Sequence, residues 1–377
     1  MIKVLHLLGR VSVRNGDFGV VFNYYKHIDR NKVQFDFGYL HETDIDNKQE
    51  IENLGGTSFK LTCPSLVRGA KDFKRELRDI LNKKEYDIIH LHMPTFHKFV
   101  KQVIKDKNVK LIIHSHNIKL STNKIKVIRN RILLLNVNKK VDARFACSRE
   151  AGNVVFGRRF LKQDTDCILK NAIDLERFSY KKELRETIRE NLKLDSDITT
   201  ICNVARFNKQ KNYEFLIDIF SSMYSVNKKL KLFLFGDGEL LELIKDKVKS
   251  LNLEEQVVFM GLKKDVNEYL SAMDIFVFPS HFEGLGLSLV EAQANGLICY
   301  ASTGCPLESK ITDNVYYLDL KIGAQQWGEY IQNNLNQNIK RTENVIITNV
   351  DYDIDKSAKN LLAKYEQIVN GKIDINE

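Results

Sequence analysis

Short apolar runs recur along the chain, separated by stretches whose apolar positions repeat every three or four residues, as in folds where strands and helices alternate. In the first half the pattern predicts strands over 3–8, 35–40, 87–92, 110–116 and 143–147. In the second it predicts strands over 199–205, 231–236, 257–260, 274–279 and 297–301. Two similar series follow one another, with a break near 171–195 where a charged stretch, 180–193, intervenes. This order implies an α/β fold of two Rossmann-like, doubly wound domains facing across a cleft, residues 1–175 and 176–350. Residues 351–377 are expected to form a closing segment whose helix, over 352–369 with Leu361, Leu362, Tyr365 and Ile368 on one face, packs back toward the N-terminal domain.

Length and composition agree with that reading. A chain of 377 residues has room for two domains with full cores, and 43% hydrophobic and 28% charged residues are ordinary globular values. No apolar run approaches the roughly 18 residues that span a bilayer, and the N-terminal run ending at Gly9 suits a first buried strand better than a secretion signal. Six cysteines without a Cys-x-x-Cys pair, most of them inside apolar runs, fit a reduced, cytoplasmic protein.

Charge changes the picture more. Before residue 180 there are 34 Lys and Arg against 20 Asp and Glu, a net +14; after it there are 24 against 29, a net −5, which together give the +9 of the whole chain. Between Asp106 and Asp142 there is no acidic residue, while Lys107, Lys110, Lys119, Lys124, Lys126, Arg129, Arg131, Lys139 and Lys140 crowd the stretch. Such a block wants an anionic partner. Residues 123–135 interleave these cations with Ile125, Val127, Ile128 and Ile132, an amphipathic pattern that suits an anionic bilayer surface; the alternative is a core-packing helix with a solvated basic rim.

The sharpest chemical signal is His281-Phe282-Glu283-Gly284-Leu285-Gly286-Leu287-Ser288-Leu289-Val290-Glu291, directly after a predicted strand. Gly284 and Gly286 let the backbone approach a ligand, and a helix starting at Leu287 or Ser288 aims its unpaired N–H groups at the same spot, which suits a phosphate. The spacing puts Leu287, Val290, Glu291, Ala294 and Leu297 on one face, so Glu291 is expected on the inward apolar stripe, where a carboxylate needs ligand hydroxyls or other donors. An ordinary strand-turn-helix with a salt-bridged Glu is the bland alternative.

A second signal is the basic loop Arg206-Phe207-Asn208-Lys209-Gln210-Lys211-Asn212, with Asn212 a candidate N-cap for the helix that starts at Tyr213. Cations ahead of a helix N-terminus are relieved when an anion such as a pyrophosphate sits between them; alone, the loop reads equally well as solvated. A third is the glycine-bearing loop Gly9 to Gly19, including Asn15, Gly16 and Asp17, weak by itself and of value for its position. Histidine pairs stand at two strand ends, His90/His92 and His114/His116, each on one strand face. With no cysteine or carboxylate at ligand spacing they point to one catalytic or sugar-binding His rather than a metal. Asp-x-Asp triplets beginning at Asp44, Asp164, Asp195, Asp351 and Asp353 lie away from the glycine loops and carry little weight.

Together these residues resemble the retaining glycosyltransferases of family 4, which have the GT-B fold. Glu283 and Glu291 match the family's paired glutamates, Arg206 and Lys211 its diphosphate-binding cations, Asn15-Gly16-Asp17 its N-terminal glycine loop, and His116 its strand-end histidine. Ala146-Cys147-Ser148 and Asn171-Ala172-Ile173-Asp174 are further landmarks, although Ala172 stands where the family usually has Gly and the segment 301–306 follows the family pattern only loosely. Within the family the chain is most similar to bacterial enzymes of capsular or exopolysaccharide assembly.

The resemblance implies transfer of a sugar from a nucleoside diphosphate, UDP being the family-level expectation, with retention and without a metal or other cofactor. It gives Arg206, Lys211, His116 and Glu283 catalytic parts. The donor would be held by Gly16, Asp17, Arg206, Lys211, Glu283, Gly284, Leu285, Gly286, Leu287, Ser288 and Glu291. The implied acceptor is a polyprenyl-diphosphate-linked saccharide at the inner face of the membrane, with the protein peripheral there and no nucleic-acid partner. Three other readings compete: a sugar-nucleotide 2-epimerase, which would not need the Glu283/Glu291 motif; a basic nucleic-acid-binding protein, which leaves the glycine loops unexplained; and a catalytically silent sugar-nucleotide sensor.

Overall fold

The computed structural model describes residues 1–371 apart from 14–15, 44–45, 65–68, 117–119, 122 and 336–344. Its strands are β1 (Ile2–Leu8), β2 (Val33–Tyr39), β3 (Ser58–Lys60), β4 (Ile88–Leu91), β5 (Lys110–Ser115), β6 (Ala143–Ala146) and β7 (Asp166–Ile168), then β8 (Thr199–Val204), β9 (Leu230–Phe235), β10 (Val257–Gly261), β11 (Ile275–Phe278), β12 (Ile298–Ser302) and β13 (Val315–Leu318). The chain forms two compact units, one of residues 1–172 with 353–377 and one of residues 173–352.

The first unit carries a seven-stranded sheet in the order β3-β2-β1-β4-β5-β6-β7. Its central strands are buried along most of their length, because helices cover both faces of a parallel sheet. Leu5, Leu7, Leu91 and Ile113 pack on one side with Phe73, Leu77 and Val100 from helices. The C-terminal helix, Ile354–Asn370, belongs to this unit and buries Leu361, Leu362, Tyr365 and Ile368. Asp353 caps it, its carboxylate accepting from the N–H of Asp355 at 2.9 Å.

The second unit carries a six-stranded sheet, β10-β9-β8-β11-β12-β13. Two apolar clusters, one around Ile217, Phe220, Leu232 and Trp327 and one around Phe233, Phe276, Leu289 and Cys299, occupy its two faces. The charged stretch near 180–193 is a helix of this unit, Lys182–Asn191, rather than a spacer. Arg185 donates to Asp274 at 2.6 Å, and Arg189 donates to the carbonyls of Asp195 and Ile198 at 2.9 Å each.

All the strand pairs are parallel, so each sheet reverses its order beside its first strand, β1 against β4 and β8 against β11. Crevices form outside the carboxyl ends of the strands at such switch points. The topology thereby selects the loops after β1, β4 and β5 in one unit and after β8 and β11 in the other.

Candidate functional site

In the second unit the β8 and β11 loops converge. After β8 the chain passes Arg206 and Phe207 and turns through a short 3-10 helix, Lys209–Lys211. Asn208 stabilises that turn, its side-chain oxygen accepting from the N–H of Lys211 at 3.1 Å. Asn212, expected as a helix cap, instead adopts a left-handed conformation (φ 56°) and makes no side-chain cap bond before the helix Tyr213–Val226. This local winding turns Lys211 inward. Its Nζ lies 2.7 Å from Oε1 of Glu283 and 4.8 Å from the centre of the Phe278 ring. Gln210 donates to the other carboxylate oxygen of Glu283 at 3.3 Å and to the Phe282 carbonyl at 2.9 Å.

The pair is almost dry, with side-chain exposures of 16% for Lys211 and 6% for Glu283. Charges at such depth are tolerated because they neutralise each other and Gln210 engages the second carboxylate oxygen. The N–H of Glu283 donates to the Gly304 carbonyl at 3.0 Å, and a Cβ at Gly304 would stand 2.3 Å from the His281 carbonyl oxygen, so glycine is required where the β11 and β12 loops touch.

Beyond Glu283, Gly286 takes φ +80° and opens the helix Leu287–Ala294. No side chain caps this helix end, and a Cβ at Gly284 would meet nothing within 4 Å. Free N–H groups therefore stand beside open space, an arrangement that attracts an anion. The helix differs from the sequence expectation in one respect. Leu289, Ala292 and Leu297 pack on one cluster and Val290 and Ala294 on another, so the helix is buried on two sides. Leu287 packs with Val290 and Ala294 on the second cluster, as the expected stripe requires, and Ser288 and Glu291, both part-buried, lie at the edge between the two packed sides. The Glu291 carboxylate has no hydrogen-bond partner among the described residues. Burial pushes its pKa up to about 7, with the Arg177 charge opposing.

Arg206 stands apart from the Lys211–Glu283 pair. Its guanidinium pairs with Glu239 at 3.3 Å, and both side chains are exposed. The structure thus gathers Lys211, Glu283, Gly284, Leu285, Gly286, Leu287, Ser288 and Glu291 along one loop and helix start, and leaves Arg206 in solvent.

In the first unit Gly16 begins the helix Gly16–His27, and Asp17 accepts from the N–H of Phe18 at 2.9 Å. Asn15 lies outside the described residues. His116 follows β5, and Asp17 is near enough for its charge to act on the imidazole, although burial dominates and lowers His116 to about 4. The other strand-end histidines join it, together with one that sequence reasoning missed, His6 in β1. Register places His6 opposite His90, and alternation along β4 and β5 brings His92, His114 and His116 to the same face. His6 Nδ1 and His92 Nε2 are 2.9 Å apart, and His92 Nδ1 and His116 Nε2 are 2.7 Å apart. His90 Nδ1 meets the Tyr365 hydroxyl at 2.8 Å. His6 could have been found from the strand pattern, since it falls on the parity that faces His90 once β1 and β4 are paired.

The acid-free block contains the helix Lys124–Leu133, none of whose residues is buried. Asn123 caps it, accepting from Ile125 and Lys126 N–H groups. Its last carbonyls are held from the neighbouring helix, where His97 reaches the Leu133 carbonyl at 3.0 Å. Ile125, Ile128 and Ile132, spaced for one face, are 78%, 61% and 57% exposed. Beside the helix lies a cavity of about 820 Å3 lined by Leu120, Val127, Leu134, Val155 and Phe156 and by the cations Arg131 and Lys139. The Asp-x-Asp triplets have structural employment where described: Asp166 pairs with Arg144 at 2.5 Å inside the first unit, and Asp353 is a helix cap.

Residues 184–349 match the family described as Glycosyl transferases group 1. The putative glycosyltransferase EpsF of Bacillus subtilis strain 168 is 31% identical over 310 residues, covering 80% of this chain and 79% of that one. The UDP-Gal:alpha-D-GlcNAc-diphosphoundecaprenol alpha-1,3-galactosyltransferase of Escherichia coli is 28% identical over 255 residues, covering 63% of this chain and 65% of that one. Among solved structures, Anabaena HepE in complex with UDP superposes with a TM-score of 0.74 at 17% identity, covering 98% of this chain and 99% of that one, and its complex with UDP-glucose gives 0.73. The structural likeness is one of fold: two parallel-sheet, Rossmann-like halves, the GT-B architecture.

Proposed function

The chain belongs to the group 1 glycosyl transferases, and we propose that it is a retaining, family 4 enzyme carrying a sugar from a UDP-sugar to a growing polyprenyl-diphosphate-linked saccharide in capsule or exopolysaccharide assembly. The observation that carries the donor half is the Lys211–Glu283 pair beside the uncapped helix start at Gly286. A diphosphate there meets a cation already held in place and free backbone N–H groups. Glu283 is positioned to accept hydrogen bonds from sugar hydroxyls while it orients Lys211. Glu291, part-buried at the helix edge and without a hydrogen-bond partner among the described residues, accepts from ribose hydroxyls. HepE, of the same fold, is known with UDP and UDP-glucose bound, which supports UDP as the first donor to try.

In the reaction the bond between the anomeric carbon and the leaving diphosphate oxygen breaks, and the acceptor hydroxyl oxygen bonds the same carbon on the same face. The hydroxyl proton passes to the departing phosphate, so UDP and the extended saccharide are the products. Charge grows on the diphosphate as the bond lengthens, and Lys211, the backbone N–H groups and Arg206 stabilise it in place of a metal. His116 recognises the reacting sugar.

The acceptor half rests on the helix Lys124–Leu133. Exposed isoleucines flanked by Lys124, Lys126, Arg129 and Arg131 suit an anionic membrane surface, and the core-packing alternative does not describe a helix with no buried residue. No helix among the described residues is long and apolar enough to cross a membrane, so the enzyme would be peripheral. The E. coli relative named for a diphosphoundecaprenol acceptor supports the same direction. The test is thermal stabilisation by UDP, GDP, ADP and TDP with chelator present, followed by transfer from the stabilising donor to a polyprenyl-diphosphate saccharide with the product anomer read by NMR. Stabilisation by UDP and an axial-to-axial outcome are expected; no stabilisation by any nucleotide, or inversion, overturns the reading.

A further inference from the structure

Three of the first unit's histidines have more coordinating capacity than the reaction uses. His92, His114 and His116 come from the carboxyl ends of β4 and β5, and one ring nitrogen from each lies within 4.8 Å of the others. The rings are close, with centroids 4.0 Å apart for His114 and His116 and 5.0 Å for His92 and His116. His114 is fully buried, and neither of its ring nitrogens has a hydrogen-bond partner among the described residues. Leaving two polar atoms so placed is costly, and a ligand for one of them relieves the cost. His116 retains partial exposure, which gives an ion a way in.

We propose that His92, His114 and His116 form a binding site for a first-row transition-metal dication of the zinc class, and that the bound ion inhibits sugar transfer by engaging His116. Imidazole is the fitting ligand for such ions, and three of them leave a coordination position for solvent. Ion entry requires the His92–His116 contact of 2.7 Å to open to the spacing of two ligands of one metal, a shift of about 0.6 Å. It also frees both facing nitrogens of protons. His92 then carries its proton on Nε2, donating to His6 Nδ1 at 2.9 Å, and His116 carries its proton on Nδ1; the contact holds a single proton, so whichever ring held it changes tautomer, with His6 following if that ring is His92, and none loses its proton. His6 thus fixes the orientation of His92 from behind, as hydrogen-bonded partners of metal-binding histidines do. The neighbouring triad of His6, His90 and His92 is the poorer site, because His90 already spends Nδ1 on Tyr365 and all three rings are buried.

Inhibition rests on the proposed role of His116; metal binding does not. The experiment titrates Co2+ into the full chain, reads the visible absorption of tetrahedrally bound cobalt, and displaces it with Zn2+. One equivalent is expected, with at least a tenfold loss of affinity in His116→Gln and in His114→Ala, and no loss in His281→Ala. Far-UV circular dichroism and UDP stabilisation in chelator show whether each variant is folded; His116→Gln, at the rim, serves if His114→Ala is not. Absence of a tetrahedral cobalt spectrum, or its persistence in both triad variants, overturns the site. Zn2+ that binds without slowing transfer overturns the inhibitory half, whereas failure of UDP to stabilise the chelated protein refutes the donor reading and leaves the cobalt result standing.

Discussion

The two switch points of this chain are built alike and charged differently. At the β8/β11 crevice the side chains that matter hold charge: Lys211 and Glu283 are paired at 2.7 Å, and the Glu291 carboxyl, raised to about 7, ionises near neutrality. At the β1/β4 crevice the side chains that matter are imidazoles, with His6 pushed down to about 3 and His116 to about 4, so they are neutral at the same pH. Yet the first half of the chain carries the +14. Four of its cations, Lys124, Lys126, Arg129 and Arg131, stand together on the helix Lys124–Leu133, none of whose residues is buried. One lesson follows: net charge reports where a surface partner binds, and the strand-end loops report where chemistry is done.

The comparison is broken most sharply at Lys211. Lys211→Met leaves the Glu283 carboxylate buried without its cation, which costs about 3–5 kcal/mol of folding stability and removes a transition-state donor worth about 10²–10³ in kcat. Denaturant unfolding and initial rates measure the two losses separately. Adding Glu283→Leu is expected to restore much of the stability and none of the activity; activity within tenfold of wild type in either variant would refute the charged-crevice account.

Glu291 gives the next effect, and its sign can be worked out. A carboxyl raised from 4.5 to about 7 in the folded protein contributes stability that is fully present below pH 4.5 and lost as pH rises through about 7. Glu291→Gln should therefore be more stable than wild type at pH 8 and equal to it at pH 4.5. Donor affinity runs the other way, because the ionised carboxylate is the better acceptor for ribose hydroxyls. Wild-type UDP affinity should fall below pH 7, and the variant should bind about tenfold more weakly at pH 8 with a flatter pH profile, as calorimetry would show.

Much of this was legible in the sequence because it is local. Gly284 and Gly286, Glu283 and Lys211 stand at strand ends, where a short apolar run followed by glycine or a basic loop marks a crevice. Ten strands show the same way, since runs such as those around Val4, Ile89 and Phe276 have no reading except a buried strand. β3, β7 and β13 did not show, being edge strands of three or four residues whose identity depends on a neighbour. One side of the helix Leu287–Ala294, the stripe of Leu287, Val290 and Ala294, was legible, and the second packed side, Leu289 and Ala292, was not, for a related reason. Periodicity finds a stripe, but this helix is covered on two sides and only the packing reveals which narrow edge is left between them. His6 belongs to the same class, because the pairing of β1 with β4 sets it opposite His90 and brings its ring to His92, 86 residues away in sequence.

The basic helix sharpens the contrast at the surface. Ile128→Ser with Ile132→Ser removes two exposed apolar contacts without touching either core, so stability should stay within about 0.5 kcal/mol of wild type. Partition onto vesicles containing anionic lipid should fall by about tenfold or more and become more sensitive to salt. Unchanged partition in sedimentation assays would remove the membrane from the account and leave the +14 without its partner.

Arg206 sets the lower bound on the comparison. Its guanidinium is 72% exposed and its Glu239 partner 57% exposed, so the pair is screened and its loss leaves no buried charge behind. Arg206→Ala should unfold at the same denaturant concentration as wild type, in contrast with Lys211→Met. If the exposed arm folds onto the diphosphate during reaction, UDP affinity changes by less than about threefold while kcat falls by about tenfold, since the interaction is made as charge develops. If Arg206 merely decorates the loop, kcat is unchanged, and the stabilisation of the leaving group belongs to Lys211 and the helix start at Gly286 alone.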